Sequence, residues 1–120
     1  MDAQAMMLNP QIEALWQEHL ASAFPKGCGG KEIDGVDLVL LDADTSGCIQ
    51  TLVNNDGQLD IWRTAILGLC YRDLAVVTAS LRGEAREYFT RLETLAGLTL
   101  RTIRDTLRAT SDQKELPSNR

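Results

Sequence analysis

Apolar positions recur along this chain mainly at helical spacing. Asn9-Pro10 opens the first periodic segment: Asn9 can cap a helix and Pro10 suits its first turn, and Ile12, Leu15, Trp16 and Leu20 then form one stripe that ends at Phe24-Pro25. Lys26 to Gly35 contains Gly27, Gly29, Gly30 and Gly35, a density of breakers that reads as a loop. From Leu59 to Leu81 the pattern is helical again, with Trp62, Ala65, Ile66, Leu69, Cys70, Val76 and Val77 on one broad face. Because that segment is apolar nearly all round, it is expected at the centre of the fold. Glu84 to Leu107 is the clearest helix: Phe89, Leu92, Ala96, Leu100, Ile103 and Leu107 line one face, and Arg101, Arg104 and Arg108 are read as lying opposite.

Asp37 to Val53 supports two readings. As a helix it carries one stripe of Val36, Val39, Leu40, Ala43 and Gly47 and a second of Leu38, Leu41, Cys48, Ile49 and Leu52, which suits an element contacted from two sides. As a hairpin, Val36–Leu41 and Cys48–Val53 are apolar runs joined by Asp-Thr-Ser-Gly. Neither run alternates cleanly and the neighbouring elements are helical, so the helix is preferred. The expected fold is all-α, a single-domain antiparallel bundle of about four helices over residues 1–109, followed by a disordered polar tail at 110–120. The alternative is α+β with a hairpin at 36–53.

Composition narrows the function classes. A net charge of −5 argues against nonspecific nucleic-acid binding, which needs clustered Lys and Arg. The average hides an asymmetry: residues 1–60 carry two bases against ten acids, and residues 61–120 ten bases against seven acids. Such halves can neutralise each other, or leave a basic face of Arg101, Arg104 and Arg108 for an acidic surface on a protein partner or a second copy. No apolar run approaches a membrane span and no signal peptide is visible, so a soluble cytoplasmic protein is expected, without membrane or nucleic-acid partners. Cys28, Cys48 and Cys70 are odd in number and widely spaced, which suits a reducing compartment. With His19 they make a Cys3His set, but gaps of 8, 19 and 21 residues lack the close chelating pairs of zinc sites. His19 reads as a polar-face residue of the first helix, and Cys28, in the glycine-rich loop, as the exposed and reactive thiol.

The chemistry-bearing stretch is Asp42-Ala43-Asp44-Thr45-Ser46-Gly47, entered through Leu38-Val39-Leu40-Leu41. It resembles the first motif of the haloacid-dehalogenase-like phosphatases, with Val76-Val77-Thr78 similar to their second. That resemblance implies a parallel sheet, a nucleophilic Asp42, a general acid Asp44, and a later lysine that only Lys114 could supply. Asp42-Ala43-Asp44 is also similar to the D-x-D of metal-dependent glycosyltransferases, whose nucleotide-binding sheet is far larger than anything preceding residue 42. Asp42, Asp44, Ser46 and Gly47 resemble the first, third, fifth and sixth positions of an EF-hand loop, a candidate divalent-metal set, but Val53 stands where the bidentate Glu belongs. Gly27 to Lys31 resembles a P-loop without its Ser or Thr. No cofactor is implied and no catalytic set is complete. Asp73 falls among Trp62, Ile66, Leu69 and Val77 on the helical wheel, and a carboxylate there needs a partner or serves binding. The sequence therefore points to a non-enzymatic protein-interaction or regulatory module, with a metal site at Asp42/Asp44 or a small-molecule site at Asp73 as alternatives.

Overall fold

In the computed structural model, which describes the backbone of residues 8–118 and the side chains of 8–111, Asn9 starts the first helix as the sequence predicts. Its carboxamide accepts from the Gln11 amide at 2.8 Å, and α1 runs Pro10–Leu20. The glycine-rich segment is more ordered than a loop reading expects. Glu32–Ile33 (β1) and Val36–Asp37 (β2) form a small antiparallel hairpin, turned by Asp34 and Gly35 with φ of 50° and 81°. Asp-Gly is the residue pair that a turn with two left-handed residues favours, so the signal was present at Asp34-Gly35.

Asp37 ends the hairpin and caps α2 (Leu38–Asn54), accepting from the Leu40 amide at 3.0 Å. The helical reading of 37–53 holds, and the hairpin at 36–53 does not form. Ser46-Gly47 causes no break, since Gly47 occupies ordinary helical space and its carbonyl accepts from the Thr51 hydroxyl at 3.0 Å. Asp56 and Gly57, with φ of 53° and 92°, turn the chain toward Asp60, which caps α3 (Ile61–Ser80). After a short break α4 covers Gly83–Ser118.

The core is built on α4. Phe89, Leu92, Leu95, Ala96 and Thr99 of α4 are wholly buried, and they meet Leu67, Leu74 and Val77 of α3, Leu38, Ile49 and Leu52 of α2, and Ile12 and Trp16 of α1. Helices α3 and α4 run antiparallel. The Thr78 hydroxyl donates to Glu93 at 2.9 Å near one end, and farther along Tyr71 lies over Gly97, whose missing Cβ leaves room for the phenol ring.

Three expectations change. The central helix is α4, because α3 buries only Leu67, Cys70, Leu74, Val77 and Thr78 and leaves Trp62, Leu69 and Val76 in solvent. An apolar circumference shows that a helix has apolar faces, and the neighbours available decide which are covered. The tail placed at 110–120 as disordered begins instead as uninterrupted helix. Gln113, Lys114 and Glu115 are good helix formers, and the helix is described as far as Ser118. Residues 119 and 120 lie outside the described residues. Finally, the first helix buries His19 in place of Leu20, which is exposed.

Phe89 fills the point where the helices converge, so Phe89→Ala is expected to destabilise the protein by about 3–5 kcal/mol, measured as a lower urea midpoint at unchanged m-value.

Candidate functional site

Asp42 and Asp44 sit on a helix, where residues two apart diverge by about 200°, and the structure sends them to different places. Asp42 faces the interior of the fold. The Tyr88 hydroxyl donates to both of its oxygens at 3.1 and 3.0 Å, Ser46 donates from the next turn at 3.2 Å, and His19 Nε2 lies 3.6 Å away. His19 stacks on Trp16 and lies tilted against Tyr88, with ring centroids at 5.7 and 4.6 Å. Arg91 continues this polar seam: it donates to Ser22 Oγ at 2.7 Å, lies 3.6 Å from Glu18, and holds its guanidinium 6.0 Å from the Tyr88 ring centre. Burial and the Asp42 carboxylate together hold the Tyr88 phenol well above its usual range. The seam ties α1, α2 and α4 together around a hydrogen-bonded acid, and its members turn toward one another.

An EF-hand needs its first, third and fifth positions to curl around one point. In α2 they do not, because Ser46 shares the side of Asp42 while Asp44 points away, and among the described residues no three His, Cys, Asp or Glu side chains are grouped to hold a metal. The strand that a phosphatase-like motif requires at 38–41 is helix, as is Val76 to Thr78.

Asp44 belongs to a different feature, a groove of about 500 Å³ between α2 and α3. Asp73 reaches it from α3, so two of the three carboxylates singled out in the sequence do converge. Asp73 is half-buried on the groove wall rather than central in the core, and among the described residues neither carboxylate has a cation within ion-pair distance. Arg91 is committed elsewhere, to Ser22 and Glu18. Leu40 and Leu69 line the groove at 60% and 54% exposure, with Leu41 and Ile66 between them and Glu32 and Asp37 at the hairpin end. The exposed apolar line extends beyond the groove, since Trp62, Leu69 and Val76 follow one another at seven-residue intervals on α3.

Cys28 is 3% exposed, contrary to the expectation of a reactive thiol. Its amide donates to Pro25 O and its carbonyl accepts from Lys31, and this tight turn tucks the side chain into the core. Cys48 and Cys70 are buried too. Burial first raises both thiols above the ordinary range, and Asp44 adds to the rise at each, joined by Asp73 at Cys70. Arg101, Arg104 and Arg108 are exposed as expected, with Arg104 3.5 Å from neighbouring Asp105.

Sequence reasoning missed Tyr88, His19 and Arg91. Tyr88 begins a second stripe with Leu92, Leu95 and Thr99 that widens the buried face of α4, and this spacing was the available signal. His19 carried none, because its partner Asp42 is 23 residues away in sequence. Comparison of the chain with protein-family models, curated proteins and solved structures gives no match.

Two outcomes follow. All three thiols should react slowly with a disulfide reagent in the native protein at pH 8 and rapidly in denaturant; a fast native phase lost in Cys28→Ser would show that the loop opens. The folded-state pKa of Tyr88 is raised, so its contribution to stability is complete below the unfolded value near 10 and falls as pH rises above it. Tyr88→Phe should therefore lower stability by about 1–3 kcal/mol at pH 7 and lessen the loss between about pH 10 and 11, read by urea unfolding across that range.

Proposed function

We propose that the protein is a non-enzymatic interaction module whose α2–α3 face receives a basic amphipathic helix. One observation carries this reading: more than half of the Leu40 and Leu69 side-chain surfaces stand in water, in a groove whose charged lining residues are all acidic. Contiguous apolar surface rimmed by polar residues favours association, because covering it removes it from water at about 25 cal/mol per Å². The seven-residue interval of Trp62, Leu69 and Val76 is the repeat with which one helix packs along another. Asp44 and Asp73 select the sign of the occupant, since an uncompensated carboxylate opposes an acidic partner and attracts a basic one. The three unpaired cysteines fit a reducing compartment, the cytoplasm.

The test is a fluorescein-labelled synthetic helix of repeating Leu-Lys-Lys-Leu units, titrated by anisotropy against the protein, with the Leu-Glu-Glu-Leu peptide as control. The lysine peptide should bind, weaken about tenfold or more in Leu69→Asp and in Asp44→Lys with Asp73→Lys, and weaken with added salt. Equal binding of both peptides, or of neither, overturns the reading.

A further inference from the structure

We infer that the occupant of this groove is the projecting end of α4 from a second copy of the chain, which makes the protein a two-fold homodimer. The inference rests on the reading of the α2–α3 face as a docking surface and names its partner. The projecting end is exposed because α4 outruns its neighbours. Gly97 faces Tyr71; Leu107 lies ten residues past Gly97, and Ile61, the first residue of α3, lies ten before Tyr71. Beyond that level α3 has nothing to lay beside α4, and Leu107 is 64% exposed.

The chemistry of that end complements the groove. Leu100, Ile103 and Leu107 continue the apolar stripe of α4 at helical spacing, while Arg104 and Arg108 are three residues before and one after Leu107. At about 100° per residue, Arg104 lies about 60° and Arg108 about 100° round the helix from Leu107, both on the same side. Arg104 therefore borders the apolar ridge on one side, with Arg108 just behind it, where a simpler reading of the wheel sets both opposite. A leucine ridge edged on one side by arginine meets a leucine groove that carries aspartate, and Leu107 seated between Leu40 and Leu69 sets that arginine edge toward Asp44 and Asp73.

Geometry allows the assembly to close. A two-fold interface needs both halves of each contact on one patch of the same molecule, so that each occurs twice. Leu107 is about 15 Å along α4 from the level of Tyr71, and the groove opens on the same stretch of α3, so both halves fall within the span of a standard interface of roughly 800 Å² per partner.

The test is the solution mass of the full chain by sedimentation equilibrium at 50 and 500 mM salt, for wild type, for Arg104→Glu with Arg108→Glu, and for Asp44→Lys with Asp73→Lys. All four positions lie outside the core, and circular dichroism confirms the fold of each variant. Wild type should dimerise, more weakly at high salt. Each double variant alone sets like charges against each other and should dimerise at least tenfold more weakly. An equimolar mixture of the two restores opposite charges at both contacts and should recover a dimer within about tenfold of wild-type affinity. A monomeric wild type, a dimer indifferent to both double variants, or a mixture that stays monomeric overturns the inference. The Leu-Lys-Lys-Leu peptide, titrated against the monomeric Arg104→Glu, Arg108→Glu variant, separates the two levels: binding there with a failed homodimer leaves the docking surface standing, and no binding removes both.

Discussion

The fold depends on the continuous apolar stripe of α4. Phe89, Leu92, Leu95 and Ala96 exclude water completely, and each of the other three helices packs part of its apolar face against that line. A single long helix used this way imposes an unequal arrangement. With 36 residues it is about 54 Å long, against about 30 Å for the 20-residue α3. Among the described residues the three shorter helices do not cover its whole length, and Leu107 stays exposed. The exposed Leu107 and its neighbouring arginines are a consequence of that mismatch in length.

Within this apolar frame the Asp42 carboxylate is held by partners from two other helices. A half-buried carboxylate is costly unless its lone pairs are used, and here Tyr88, Ser46 and the nearby His19 surround it. Apolar packing tolerates small slides of one helix along another, whereas hydrogen bonds of about 3 Å do not, so the seam gives α1, α2 and α4 one register. Arg91, bridging toward Ser22 and Glu18 and lying against the Tyr88 ring, extends that restraint to the end of α1.

Asp44 shows how the same helix serves another purpose two residues later. Turned away from the seam, it helps form an acidic rim around leucines that the bundle does not cover, and Asp73 completes it from α3. Both carboxylates also add to the rise that burial gives the Cys70 thiol. The chain thus divides these acids between an internal hydrogen-bonded seam and an open groove.

Much of the architecture was legible in local pattern. Asn9, Asp37 and Asp60 accept from the amides that begin their helices, the turn at Asn54 to Gly57 lies where its residues demand left-handed backbone, and the stripe from Phe89 to Leu100 marks the buried face of α4. These features are set by spacing and by the conformational preferences of single residues, which act over one or two turns. The carboxylates were legible only as candidates. That Asp42 finds Tyr88 and His19, that Asp44 and Asp73 share a groove, that Cys28 is buried, and that Trp62 and Leu69 face water while Phe89 does not all depend on which elements lie side by side. The sequence by itself determined which helices have apolar faces and where they start. Only the tertiary structure decided which faces are covered, because burial belongs to a pair of surfaces and the second surface comes from a distant part of the chain.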